Sequence, residues 1–163
     1  MIEQALEFLK IGLANNEDVM FVTDAMPINS IREKIAKEWK DVNLDKMEQE
    51  GRITLSTFRE WIMPDGKVDL QNAITDLSKK AQQSKEEHGR KGLRMVGDTN
   101  PFFDSGMREE LINHEKMFDK KHGFSLTGLC AYVNDRFHSL ERSDVQFLHE
   151  HHNRVIGSAI TKI

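Results

Sequence analysis

The feature that most constrains the fold is an apolar run that ends in a carboxylate, the sequence GLRMVGD at residues 92–98. A short apolar run bounded by turn residues predicts a strand buried inside a sheet. An amphipathic stretch at residues 107–121 follows it and leads into a second apolar run at residues 126–133. Strand, helix and strand in this order predict a parallel crossover unit.

The same alternation extends along the rest of the chain. Apolar residues at helical spacing predict helices over residues 2–13, 28–39 and 69–87, and strand-forming residues cluster at 19–23 and 52–56. Ser143 and Gln146 predict a capping box that starts a last helix, and residues 155–160 predict a final short strand. About five strands alternating with helices predict a single α/β domain over residues 1–163, a three-layer sandwich around a mostly parallel sheet.

Composition excludes several classes of protein. The 163 residues are 38% hydrophobic and 31% charged, which is typical of a globular domain, and the apolar runs fall far short of a membrane span. The net charge is −4, so electrostatics gives no reason to expect nucleic acid as a direct partner. The single cysteine, Cys130, cannot form a disulfide within the chain, so the sequence predicts a cytoplasmic location.

Two acids are candidates for ligand binding. Asp98 ends a predicted strand, and Glu115 on the following helix is expected at the same edge of the sheet, where open α/β sheets bind ligands. Asp98 has an alternative interpretation, in which it caps the turn that follows it at Thr99 and Asn100 or pairs with a nearby basic residue.

Aromatic residues and the cysteine complete the predicted ligand-binding set. Phe102 and Phe103 follow a proline in a predicted loop, where exposed aromatic side chains usually serve binding. Tyr132 and Cys130 lie on or next to the second apolar run. Trp39, Phe58 and Trp61 could line the same pocket at the carboxyl ends of the strands, but most of these aromatic residues are expected in the core.

No catalytic residue, cofactor or metal site is predicted. The phosphate-binding pattern G-x-x-x-x-G-K-[ST] is missing, so ATP hydrolysis by that route is not expected. His149 and His152 share a helix face at i and i+3, and His151 lies between them, but a metal site needs further ligands at fixed spacing. These histidines are expected near a helix end, where positive charge suits the helix dipole.

Several stretches taken together resemble a known family. They are FLKIGLANNE (8–17), VMFVT (19–23), GLRMVGD (92–98), HE (114–115), LCAY (129–132) and HHNRVI (151–156). In order and spacing they resemble the sensory domain of methanogens and methylotrophs called MEDS, known from DcmR-type regulators. The resemblance implies a relative of the RecA and KaiC core that has lost its phosphate loop. It also implies a role in sensing small molecules, such as hydrocarbon derivatives, for signalling or transcription control.

This chain departs from the family in two ways. Family members usually open with a strand that carries a histidine ahead of the first helix, whereas this sequence starts at the helix. Asp98 and Asn153 stand where the family more often has glutamate and proline. An absent opening strand would leave strand backbone unpaired, which is costly to bury and prone to pairing. We therefore expect self-association, as a two-fold homodimer.

These observations predict a non-enzymatic sensory or regulatory domain that binds a small-molecule ligand or a signalling protein. Two alternatives stay open. One is a degenerate nucleotide-binding module that keeps affinity without hydrolysis. The other is a hydrolase or redox enzyme that uses Cys130, with His114 or His151 brought close by the fold.

Overall fold

The computed structural model describes residues 1–118 and 125–152, which form an α/β sandwich around one parallel sheet. The strands are β1 (Asp18–Val22), β2 (Ile53–Ser56), β3 (Leu93–Asp98) and β4 (Leu126–Ala131). They lie in the order β2-β1-β3-β4, and every paired neighbour is parallel. All five residues of β1 are buried, as expected for a central strand covered on both faces.

Helices cover both faces of this sheet. Their bounds are α1 (Ile2–Ala14), α2 (Ile28–Glu38), α3 (Leu44–Gln49), α4 (Phe58–Ile62), α5 (Leu70–Glu86), α6 (Asn100–Asp104), α7 (Arg108–Met117), α8 (Asn134–His138) and α9 (Arg142–His151). Residues of α1, α2 and α3 pack on one face, and residues of α4, α5, α6, α7 and α9 pack on the other. The predicted three-layer α/β fold is therefore confirmed.

Alternation along each strand sends its side chains into the two cores. Met20 and Met95 join the core under α5 and α7, whereas Val19 and Val96 join the core under α1 and α2. Helix α5 is held by alanine and leucine at one-turn intervals, with Leu77 fully buried, and its predicted N-cap Asp69 accepts a hydrogen bond from the Asn72 amide.

The capping box predicted at Ser143 is wrong. Helix α9 begins at Arg142 and has Glu141 as its N-cap, without a side-chain hydrogen bond. The Glu141 carbonyl accepts hydrogen bonds from the amides of Asp144 and Val145, so Ser143 already lies inside the first turn.

The predicted exposed loop after β3 is also wrong. Helix α6 occupies this segment, and Phe102 and Phe103 are only 2% and 7% exposed. Pro101 near the helix start has the backbone angle a first turn needs. The Phe102 ring meets Phe58 of α4 edge-on, with centroids 4.7 Å apart, and this burial stabilises the short helix.

The outer strand β4 forms one side of the sheet among the described residues. It pairs with β3, and Thr127 and Gly128 in its middle are exposed. The predicted strand at residues 155–160 and the variant position Asn153 lie outside the described residues. Self-association therefore stays a prediction. In the part of the chain that the structure describes, no helix is both long and apolar enough to cross a membrane.

Candidate functional site

A cleft of about 560 Å³ lies beside β3 and β4, between helices α4, α6 and α7 and the end of α9. Most of its wall is apolar or aromatic, from Phe58, Trp61, Met95, Phe102, Phe118 and Leu129. Polar side chains interrupt this surface, among them Asp98, His114, Glu115, Cys130 and His152. Apolar walls with a small number of polar groups are the usual composition of a small-molecule site.

Helix α7 supplies the polar wall through one face. Leu111, His114, Glu115 and Phe118 recur at i, i+3, i+4 and i+7, so they share the side of the helix that faces the sheet. Leu111 packs in the core, and the other three line the cleft.

Glu115 is the buried acid at the centre of this wall, only 1% exposed. The Tyr132 hydroxyl donates to its Oε1 at 2.5 Å, the Cys130 thiol approaches Oε2 at 3.5 Å, and His152 Nε2 lies 3.3 Å from Oε2. Burial by itself would raise the pKa of Glu115, but the hydrogen bonds from His152 and Tyr132 hold it below its usual value. Burial, together with the charge of Glu115, raises the pKa of Cys130 and of Tyr132.

A possible metal-binding set is present in this network. One ligand atom each from Glu115, Cys130 and His152 lies within 4.8 Å of the other two. His149, which the sequence pairs with His152, is exposed and packs against the Phe137 ring instead. The two histidines diverge because α9 ends at His151 and the backbone of His152 is extended.

Two buried polar atoms in the cleft wall have no hydrogen-bond partner among the described residues. They are Nε1 of Trp61 and Nδ1 of His114, in side chains that meet edge-on with ring centroids 6.1 Å apart. Burial lowers the pKa of His114 to about 4, so its ring is neutral at neutral pH. Buried polar atoms usually have a hydrogen-bond partner, so this part of the cleft wall is unusual in having two such atoms without one among the described residues.

A second crevice of about 340 Å³ lies at the carboxyl ends of β1 and β3. The chain leaves these adjacent strands toward opposite faces of the sheet, which is where α/β folds often bind ligands. Most of its polar groups satisfy one another, although Asn100 Oδ1 is buried and has no hydrogen-bond partner among the described residues. Arg136 pairs with Asp104 at 2.6 Å, and Asp98 accepts from Thr23 Oγ1 at 3.0 Å and from Asn100 N and Nδ2 at 3.0 and 2.8 Å.

The interpretation of Asp98 as a turn cap is therefore confirmed. We expect Asp98→Asn to destabilise the fold by about 1–3 kcal/mol, because the amide cannot accept all three hydrogen bonds and one buried donor loses its partner. The exposed ion-pair residue Asp104 is the matched control, and Asp104→Asn should change stability by less than about 1 kcal/mol. Urea unfolding of both variants measures this, and equal losses would contradict it.

Four of the six predicted ligand-binding residues line the larger cleft: Asp98, Phe102, Glu115 and Cys130. Tyr132 adjoins it through Glu115, whereas Phe103 packs on the Tyr132 ring with centroids 6.5 Å apart and does not line the cleft. Ligand binding by these residues stays a prediction.

Further aromatic residues contribute to the wall of the cleft. The expected burial of Trp39, Phe58 and Trp61 is confirmed at 3%, 4% and 8% exposure, although the last two also line the cleft. Phe118 is a cleft residue that the sequence analysis missed. Its i+3 and i+4 spacing from Glu115 and His114 is the signal that would have found it.

Comparison with known proteins identifies one family. A family model described as "MEDS: MEthanogen/methylotroph, DcmR Sensory domain" matches residues 1–150. No curated protein and no solved structure matches the chain. The matched range includes every cleft residue except His151 and His152, which follow it directly. The implied kinship with RecA and KaiC stays a prediction.

Proposed function

We propose, because this chain belongs to the MEDS family of sensory domains, that it is a non-enzymatic sensory or regulatory domain that binds a small molecule in the cleft beside β4. The volume of about 560 Å³ falls in the range of roughly 300–1,000 Å³ that is usual for ligand pockets. The apolar wall supplies affinity by burying ligand surface, and the polar groups supply orientation.

The observation that carries this proposal is the pair of unsatisfied polar atoms on Trp61 and His114. A buried donor or acceptor without a partner costs about 1–3 kcal/mol, and a ligand that reaches it recovers part of that cost. The Trp61 indole can only donate, so the ligand needs an acceptor. These requirements favour a small, mainly apolar molecule that carries a hydroxyl or carbonyl oxygen.

The state of Cys130 supports a non-enzymatic role. The thiolate, not the thiol, is the nucleophile in cysteine chemistry. Burial and the neighbouring charge of Glu115 both raise the pKa of Cys130, which disfavours the thiolate. This is the opposite of the electropositive surroundings that activate catalytic cysteines, so the hydrolase and redox alternatives lose support.

The two tryptophans make binding measurable. Trp39 belongs to the core on the opposite face of the sheet, so Trp39→Phe leaves Trp61 as the sole tryptophan and a fluorescent reporter of the cleft. Short-chain alcohols, aldehydes and ketones are titrated into this variant. We expect at least one compound class to change Trp61 emission saturably and to raise the melting temperature.

The variant Trp61→Phe removes the indole N–H but retains an aromatic ring. We expect it to weaken binding of the compound found by about 5–10-fold by calorimetry, the loss of one hydrogen bond, while Trp39→Phe binds like the unaltered chain. Equal binding by both variants would contradict the assigned site. ATP and ADP titrated in parallel test the nucleotide-binding alternative, and saturable binding of either would favour it over ours.

A further inference from the structure

Glu115, Cys130 and His152 combine three donor types that bind transition metals. They come from α7, from β4 and from the residue just after α9, yet one ligand atom of each lies within 4.8 Å of the other two. Carboxylate oxygen, thiolate sulfur and imidazole nitrogen are the protein ligands of Zn²⁺. Zinc bonds of about 2.0–2.3 Å place tetrahedral ligand atoms about 3.3–3.7 Å apart. Glu115 Oε2 already lies 3.5 Å from Cys130 Sγ and 3.3 Å from His152 Nε2. A chance surface cluster would not be buried to this degree, since Glu115 is 1% exposed and the other two are half-buried.

Both ring nitrogens of His152 face oxygen atoms that accept hydrogen bonds. His152 Nδ1 lies 2.9 Å from the Leu148 carbonyl oxygen, which only accepts, so Nδ1 carries the hydrogen. In the neutral ring Nε2 then presents a lone pair, at 3.3 Å from the carboxylate oxygen Oε2 of Glu115. A protonated ring donates from Nε2 to this oxygen, which is the hydrogen bond described above, and in the neutral ring a metal ion between the two atoms takes the place of that proton. Metal-bound histidines usually donate their other N–H to a carbonyl or carboxylate in this way.

The two oxygens of Glu115 have separate partners. Tyr132 donates to Oε1 at 2.5 Å, which orients the carboxylate, while Oε2 faces both Cys130 Sγ and His152 Nε2. Oε2 is therefore the oxygen that points to the centre of the three ligands. A hydrogen bond that orients a ligating carboxylate from behind is the usual support of a metal ligand.

We propose that Glu115 Oε2, Cys130 Sγ and His152 Nε2 bind one divalent ion of the zinc class, with its fourth position open to the cleft. Binding forms the metal–sulfur bond and breaks the S–H bond of Cys130, whose proton passes to solvent. The two anionic ligands then balance the two positive charges of the ion. Metal binding at these three ligands does not require a small molecule in the cleft.

The apo site by itself disfavours the required thiolate. Burial and Glu115 raise the pKa of Cys130, so the thiol keeps its proton when no cation is present. A metal ion reverses this electrostatic balance and deprotonates a coordinating thiol outright. Metal affinity should consequently rise with pH, because each bound ion displaces a proton.

Cobalt titration tests the site, because Co²⁺ substitutes for Zn²⁺ and reports its ligands by absorption. Chelator-treated full chain is titrated with CoCl₂, then with ZnCl₂. We expect saturation at one equivalent, a thiolate-to-cobalt charge-transfer band with the intense visible bands of tetrahedral cobalt, and loss of all of them when zinc is added. Absence of the charge-transfer band in the unaltered chain overturns the proposal without reference to any variant.

Variants identify the ligands. We expect Cys130→Ser to abolish the charge-transfer band, His152→Gln to weaken Co²⁺ binding more than tenfold, and Tyr132→Phe to weaken it about 10–100-fold. The matched controls are His149→Gln on α9 and Glu109→Gln on α7, both exposed, which should bind like the unaltered chain. Binding by His152→Gln that equals binding by His149→Gln overturns the assignment, with circular dichroism establishing that each variant is folded.

Discussion

Replacing Gly92 with alanine is expected to destabilise the protein by about 3 kcal/mol or more. Gly92 directly precedes β3 and has a φ of 141°, and a Cβ placed there would lie 2.4 Å from the carbonyl oxygen of Ser125 and 2.7 Å from its Cβ. The carbonyl cannot easily move, because it accepts the Leu93 N–H at 2.9 Å where β3 and β4 begin to pair. Strain and overlap therefore add at the same residue.

Gly106 is the matched control for this prediction. Its φ of 70° is also positive, but a Cβ there meets nothing within 4 Å. Gly106→Ala should consequently cost only the backbone term of about 1 kcal/mol. Urea unfolding at constant m-value measures both, and a Gly92→Ala loss no larger than that of Gly106→Ala would show that β3 and β4 do not approach as closely as described.

Stability should fall by about 2 kcal/mol between about pH 7 and about pH 5 because of His114. Its pKa is about 4 in the folded protein, against an ordinary value of 6.5, since its ring is buried among Trp61, Phe102 and Phe118. As the pH falls through 6.5, His114 of the unfolded chain binds a proton, whereas the buried His114 ring of the folded protein stays neutral. Protonation therefore favours unfolding. The loss is complete only near the folded pKa.

The nearest titratable group, Glu115, acts in a lower range of pH. Its folded pKa is depressed below the ordinary 4.5, so its contribution is present above that value and is lost as the pH falls further. Thermal and urea unfolding are therefore measured from about pH 7 to about pH 5, in chelator, which is above the range in which Glu115 acts. We expect His114→Phe to flatten this dependence and the exposed control His149→Gln to retain it. An unchanged slope in His114→Phe would contradict the assignment.

The layers of this fold could be predicted because each depends on local patterns. A run such as residues 19–22 is apolar at every position, which is the pattern of a strand covered on both faces. Asp69 caps α5 by accepting a hydrogen bond from the Asn72 amide, which is only three residues away in sequence. The short helices α3, α4, α6 and α8 escaped prediction because one turn or two has little periodicity, and α6 is stabilised by burial of Phe102 and Phe103.

The site depended on contacts between residues distant in sequence. Sequence patterns placed Asp98, Glu115, Cys130 and Tyr132 near one edge of the sheet, since they follow from the strand and helix order. They did not show that Tyr132 and Cys130 both contact the Glu115 carboxylate, at sequence separations of 17 and 15 residues. Nor did they show that Phe102 turns inward, because exposure is a property of the assembled surface.

The sequence by itself thus determined the α/β class, the parallel strands and the family, because periodicity, capping and residue order are written along the chain. Only the tertiary structure decided which polar groups are satisfied and which are not. The Asp98 carboxylate accepts three hydrogen bonds and caps a turn. Trp61 Nε1 and His114 Nδ1, by contrast, have no hydrogen-bond partner among the described residues. The physical reason is that hydrogen-bond satisfaction depends on distances between chain segments that packing alone brings together.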